Sequence, residues 1–369
     1  MAVEVDEAFV QKAHEDVHAE ALKGDGGNAF LRMCERYVDG HWRRFTKKVE
    51  LFSKPLAGGV FVDFGSKFGH LTPLLIDQGV EKVYAVDVND EYLEQGQRFF
   101  GARFPVTYVK SEDCYVDIPS ASADFVLANE MISHINPGLL DTFYAEVARI
   151  LKPSGELVIS DGNNWAHLKT RLDLLDWYSL WESGTSKEFG ERNYRLMRRE
   201  MIAERYPDLS AEDLDYLAEN TSGTYGERLF QQVERYVSGG VFIERPHRPG
   251  ICPTHPHHGV VMERGFDPRQ VIMSLEAYGV KAVQVLRGRV LEDDARRGLT
   301  KNFTIRGHKM PEAVEALAEH ARNTVMQVVD APKSAEKARK KSARRRKPLY
   351  ARLFKRAKRI VRGERKRAV

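Results

Sequence analysis

Residues 60–75, VFVDFGSKFGHLTPLL, run an apolar strand straight into a turn that bears two glycines and then into an apolar helix. A turn this short leaves no room for a hairpin or a long loop, so the strand must belong to a βα unit. Gly65 and Gly69 lack a Cβ, which lets the backbone turn tightly and lets a ligand approach it closely. This turn constrains the fold more than any other stretch, because a βα unit needs further strands alongside it.

Those strands follow. GVFVDF, KVYAVD, VTYVK, DFVLAN and ELVISD are short β-branched runs separated by helical stretches, which predicts a parallel sheet covered on both faces. The rhythm breaks between Trp165 and His258, where LDLLDWYSLW, RNYRLMRREMIAERY and ERLFQQVERYV read as amphipathic helices. It resumes with a helix, DPRQVIMSLEAYG, and two strands, KAVQVLRG and NFTIRGHK. The expectation is an α/β fold with a doubly wound, seven-stranded, mostly parallel sheet, built from residues 58–164 and 259–310. Residues 165–258 read as an inserted helical lid. Residues 1–57 read as a helical arm, with Phe30, Met33, Tyr37, Trp42 and Phe45 at mostly helical spacing. A helix over 311–330 and a basic tail over 331–369 complete the expected organisation.

The net charge of +4 conceals an asymmetry: residues 333–369 hold 18 Lys and Arg against 2 acids, about +16, and the rest of the chain carries about −12. Three cysteines at wide spacing fit neither a disulfide framework nor a zinc ribbon. The N-terminus has no basic start or apolar run, and no stretch supplies the roughly 20 apolar residues of a membrane span. A cytoplasmic protein with reduced thiols is expected.

Acids close the predicted strands. Asp63 ends the first, where it can pair with a cation or hold the loop. Asp87 ends the second, 18 residues beyond Gly69, where a carboxylate can accept ribose hydroxyls. Glu112, Asp113 and Cys114 follow the third, where a base ring would lie, and Asp113 can accept from an exocyclic amine. With DFVLANEM and EVARILKPSGELVISD, this succession resembles the motifs of class I S-adenosylmethionine-dependent methyltransferases over residues 58–162, and more weakly over 265–308. The turn ILKPSG before the fifth strand is the most specific part of the likeness. The resemblance implies a Rossmann-like fold and S-adenosylmethionine as cofactor. Asp63, Gly65, Ser66, Lys67 and Gly69 would surround its methionine end, Asp87 and Val88 the ribose, and Glu112, Asp113 and Cys114 the adenine. Asn129 and Glu130 would line the site at the fourth strand. Lys67 departs from the pattern, standing where the family commonly has a middle glycine; its side chain either crowds the loop or points to solvent. A nicotinamide fingerprint needs GxGxxG, which GSKFG does not supply.

Methyl transfer from a sulfonium is an in-line displacement, so alignment supplies most of the rate and a base is needed chiefly for a hydroxyl acceptor. His134 in NEMISHINPG is one candidate base, or else a residue that orders its loop. His255 and His257, with His258 in CPTHPHHG, are others; a metal site with Cys252 fits no standard spacing, and an extended structural loop is the plainer reading. Trp165 and the aromatics of LLDWYSLWE could form an acceptor platform or pack within the insertion. Asn163 and Asn164 could orient an acceptor or form a turn.

Residues 348–362, PLYARLFKRAKRIVR, read as an amphipathic basic helix suited to an anionic membrane surface, with RNA phosphates as the alternative partner. The function expected is O-methylation of a saccharide or other small polar acceptor, including lipid-linked ones, by a peripheral enzyme on the inner membrane face. The alternatives are an RNA methyltransferase and a catalytically silent scaffold.

Overall fold

The computed structural model describes residues 4–24, 26–185, 193–291 and 300–311. The segment from 312 onward, including the expected helix at 311–330 and the tail helix at 348–362, lies outside them.

Three helices come first: α1 (Glu7–Lys23), α2 (Asn28–Val38) and α3 (Arg43–Val49). Asp6 caps α1 by accepting from the Phe9 N–H at 3.0 Å. The α/β core follows as β1 (Val60–Phe64), α4 (Thr72–Asp77), β2 (Lys82–Asp87), α5 (Asp90–Gly96), a π turn (Gln97–Gly101), β3 (Val106–Glu112), β4 (Tyr115–Val116), β5 (Ala123–Asn129), α6 (Leu140–Ile150) and β6 (Leu151–Asp161). Among the described residues four helices come next: α7 (Leu168–Ser183), α8 (Tyr194–Arg205), α9 (Ala211–Asn220) and α10 (Gly226–Val237). The chain then returns to the sheet with α11 (Pro268–Ala277), β7 (Val280–Leu286), β8 (Arg289–Val290) and β9 (Phe303–Lys309). Asp267 caps α11 and Pro268 opens it, an arrangement legible in the sequence.

The strand order is β4-β3-β2-β1-β5-β6-β9-β7-β8, nine strands among the described residues where seven were expected. The two additions, β4 and β8, are two-residue returns that pair antiparallel to β3 and β7, too short to leave an alternating pattern. Strands β1, β2, β3, β5 and β6 are mutually parallel, and β9 runs antiparallel between β6 and β7.

Alternation along each strand sends side chains to two cores. Phe61, Val83, Ala85, Phe125, Leu127 and Val158 face the arm, where Val10, Val17, Phe30, Tyr37 and Trp42 are buried with them. Val62, Phe64, Val86, Val126, Leu157 and Ile159 face α6 and α11 on the other side. The arm is therefore one of the two layers that cover the sheet, and detaching it would expose Phe61 and Phe125. The helices after β6 have a small core of their own, Ile202, Leu214, Leu217, Leu229 and Val233. A buried ion pair between Arg198 and Glu182 ties α8 to α7, and Arg198 Nε also donates to the Ala218 carbonyl at 2.9 Å.

Candidate active site

The strand order reverses between β1 and β5, so the loops after them splay apart and leave a crevice at their carboxyl ends. Three left-handed residues shape the loop after β1: Gly65 (φ 83°), Lys67 (φ 52°) and Gly69 (φ 79°). A Cβ on Gly65 would lie 2.7 Å from Met131 Cβ, and one on Gly69 2.3 Å from Tyr108 Oη. Lys67 holds the glycine-like conformation at a cost of roughly 1–2 kcal/mol, with its side chain exposed. Its backbone N–H donates to Asp87 Oδ2 at 2.9 Å, while Asp87 Oδ1 accepts from Val88 N at 2.8 Å and Asn89 N at 3.1 Å. Two acceptors of Oδ1 are thus taken, and Oδ2 keeps capacity for one hydroxyl.

Asp63 is buried at the end of β1 with no hydrogen bond among the described residues. Burial, reinforced by the charge of Asp87, pushes its carboxyl up to about 7. Ser66 Oγ and Asn129 Oδ1 are likewise buried and without partners. Buried polar groups are ordinarily satisfied, so three orphans at the ends of β1 and β5 point to an absent polar ligand. A ligand with an ammonium group for Asp63 and further polar atoms for Ser66 and Asn129 fits them, as the methionine end of S-adenosylmethionine does.

The other expected cofactor residues spread along this edge. Val88 is exposed beyond β2, and Glu112 ends β3. Asp113 (φ 48°) and Cys114 (φ 70°) form the two-residue turn between β3 and β4, with both central φ positive as a type I′ hairpin demands. Asp113 lies exposed on that turn, whereas Cys114 is buried, its thiol pushed up to about 12 by burial. Glu130 (φ 51°) follows β5, its N–H donating to the Ser160 carbonyl at 2.7 Å.

The residue set that the sequence reading missed comes from the arm. Glu130 pairs with Arg44 at 2.9 Å, and Lys48 Nζ donates to Ser160 Oγ near the end of β6. Tyr37 and His41 stand in the same group: Tyr37 feels the charge of Asp63, and His41 those of Arg44, Arg36 and Lys67. Tyr37, His41, Arg44 and Lys48 recur at helical spacing, a signal visible in the sequence but ambiguous there, since the same stripe could have faced solvent.

The histidines divide. His134 Nδ1 lies 3.2 Å from the Val261 carbonyl, so that nitrogen donates and Nε2 of the neutral ring is an acceptor. His255 Nδ1 accepts from His257 N at 3.3 Å, which places its ring proton on Nε2. The His255 ring stacks on His258 with centroids 3.8 Å apart, and burial, then the neighbouring imidazoles, lower its pKa to about 4. His257 is exposed. Cys252 is buried with Leu174, Tyr178 and Val261, and its Sγ donates to the Met262 carbonyl at 3.0 Å. Trp165 and Tyr178 stack against each other beside this cluster, so these rings pack the insertion instead of forming a platform. Asn163 and Asn164 are buried; Asn163 Nδ2 donates to Glu263, and Asn164 Nδ2 to the Thr300 carbonyl at 2.8 Å. Among the described residues, no helix is long and apolar enough to cross a membrane.

Residues 62–159 match the family described as "Methyltransferase domain". No curated protein matches the chain. Among solved structures it is similar to a SAM-dependent methyltransferase from Methanosarcina mazei, at 15% identity over 72% of this chain and 98% of that one, with a TM-score of 0.40. It is also similar to an S-adenosylmethionine-dependent methyltransferase from Mesorhizobium loti, at 12% identity over 73% and 99% of the two chains, TM-score 0.39. A protein of Pyrococcus horikoshii is 23% identical over 36% of this chain, and the match spans 63% of that protein's length, TM-score 0.32. The turn, the strand ends and the switch point between β1 and β5 thus lie in a segment, residues 62–159, that matches the methyltransferase domain family.

Proposed function

We propose that this enzyme methylates a hydroxyl of a saccharide or another small polar acceptor, lipid-linked ones included, held between the crevice at β1 and β5, the arm and the inserted helices. The observation that carries the cofactor half of this reading is the placement of Asp63, Ser66 and Asn129 at the ends of β1 and β5, three buried groups without partners among the described residues. When bound, S-adenosylmethionine supplies a methyl group on a sulfonium, which an acceptor oxygen takes as the carbon–sulfur bond breaks, leaving S-adenosylhomocysteine. The chain's own contribution is alignment and proton removal. Asp63 would hold the cofactor's ammonium and Asp87 a ribose hydroxyl, while the glycine loop, free of Cβ at Gly65 and Gly69, would let the cofactor lie close to the backbone.

A hydroxyl acceptor also loses a proton. His134 suits this role better than His255, because the Val261 carbonyl takes Nδ1 as a donor and leaves Nε2 to accept a proton. His255 carries its proton on Nε2 and is too weak a base near neutral pH. The inserted helices, entered from β6 through Asn163 and Asn164, form the acceptor's outer wall. The basic segment at 348–362 would bring the enzyme to an anionic membrane surface; its sequence alone supports that part, and loss of liposome binding on removal of residues 331–369 tests it.

Calorimetric titration with S-adenosylmethionine, S-adenosylhomocysteine and NAD tests the central reading. Binding of the first two and not the third is expected. Binding of neither would leave a methyltransferase-like scaffold.

A further inference from the structure

Lys48 is the least expected group in the crevice. It projects from α3, is partly buried, and donates to Ser160 Oγ, which also lies 3.2 Å from Thr304 Oγ1. No carboxylate lies within ion-pair distance of it among the described residues, although Glu130 and Asp161 act on it from further away. Glu130 is engaged by Arg44. Asp161 accepts backbone N–H groups from Ser133 and Asn163, each at 3.2 Å. An ammonium has three donors, so Lys48 keeps two for something else. A desolvated cation without a paired anion is costly, and a chain that retains one beside a binding crevice gains from it only when an anion arrives. Its position matters as much: Lys48 sits at β6, on the side of the crevice away from the β1–β2 edge where Asp63 and Asp87 stand.

We propose that Lys48 receives an oxyanion, a carboxylate or phosphate, carried by the methyl acceptor, and so makes the enzyme selective for anionic acceptors. This rests on the methyltransferase reading and narrows it: the acceptor presents a hydroxyl for methylation and an anionic group for the arm. Arg44 stands next to Lys48 as a second donor once its pairing with Glu130 loosens, an exposed ion pair that opens readily.

The test uses the full chain saturated with S-adenosylhomocysteine and two probes, inorganic phosphate followed by phosphorus NMR linewidth and carbon-labelled acetate followed by carbon linewidth. The two arms distinguish a phosphate from a carboxylate. Binding of at least one anion is expected, weakened about tenfold or more in Lys48→Met, the loss expected for one charge-assisted hydrogen bond, and substantially retained in Lys48→Arg, which keeps the charge. Anion binding in Lys48→Met equal to that of the unaltered chain, or none to the unaltered chain, overturns the proposal. S-adenosylhomocysteine affinity is measured in every variant. Unchanged affinity shows that the fold survives, and a failure of the unaltered chain to bind it would overturn the cofactor reading instead.

Discussion

The backbone N–H of Lys67 donates to Asp87 Oδ2 at 2.9 Å, so one carboxylate ties the glycine loop to the end of β2. Asp87→Ala removes the acceptor of three backbone N–H groups at once. Affinity for S-adenosylhomocysteine should fall about ten- to a hundredfold, the range for losing charge-assisted hydrogen bonds. Lys67→Gly should leave it nearly unchanged, because the tie is made by backbone and glycine suits φ 52°. Calorimetry on both variants checks this; equal losses would mean the lysine side chain matters, and the tie does not.

The pH dependence of cofactor binding follows from Asp63. Its carboxyl titrates near 7 in the free protein because it is buried, with Asp87 adding to the shift. An ammonium pairs only with the ionised form, so affinity should strengthen as pH rises through 7 and level off above it. The stability contribution has the opposite slope: the folded state keeps this proton up to about 7 while an unfolded carboxyl releases it near 3.8, so stability falls as pH rises through that window. Asp63→Asn should flatten both profiles, raise thermal stability at pH above 7 without cofactor, and weaken binding. An unchanged binding profile in this variant would remove Asp63 from the site.

His14 is buried in the arm against Tyr37, His70 and Phe100, with neither ring nitrogen hydrogen-bonded among the described residues. Burial lowers its pKa to about 3, and His70 is lowered too, by burial and then by His14. Below the ordinary value of 6.5 the unfolded chain takes up protons that the folded arm refuses, so stability is lost as pH falls from 6.5 toward 3. His14→Phe should flatten this acid limb and raise the melting temperature at pH 5. A parallel acid limb in the variant would show that other groups dominate.

His134→Ala should lower turnover by about a hundredfold or more, the usual contribution of a positioned base, with S-adenosylhomocysteine affinity little changed. Turnover equal to that of the unaltered chain would leave the histidine as a residue that only orders its loop through Val261.

Sequence alone determined the α/β alternation and the place of the glycine turn. Each rests on local physics: strands need period-two or apolar runs, and a strand cannot enter a helix across GSKFG without left-handed backbone. The same local rules placed Asp63 and Asp87 at strand ends and helices α8 and α10 between β6 and α11. Helix α9, AEDLDYLAEN, escaped because its apolar positions are few among acids, and β4 and β8 because two residues carry no period.

The tertiary structure decided what no window of sequence contains. Tyr37, Arg44 and Lys48 lie along a stripe that could have faced water, and only the packing of Phe30 and Trp42 against the sheet turns it over the ends of β1, β5 and β6. The sequence left Asp63 as an acid that either pairs with a cation or holds the loop, and only the fold shows that it is buried with no hydrogen bond among the described residues. For Trp165 and Tyr178 the sequence allowed either a platform or packing, and their stacking beside Cys252 decides for packing. In each case the deciding quantity is which groups are desolvated together, and desolvation depends on contacts between residues far apart in the chain.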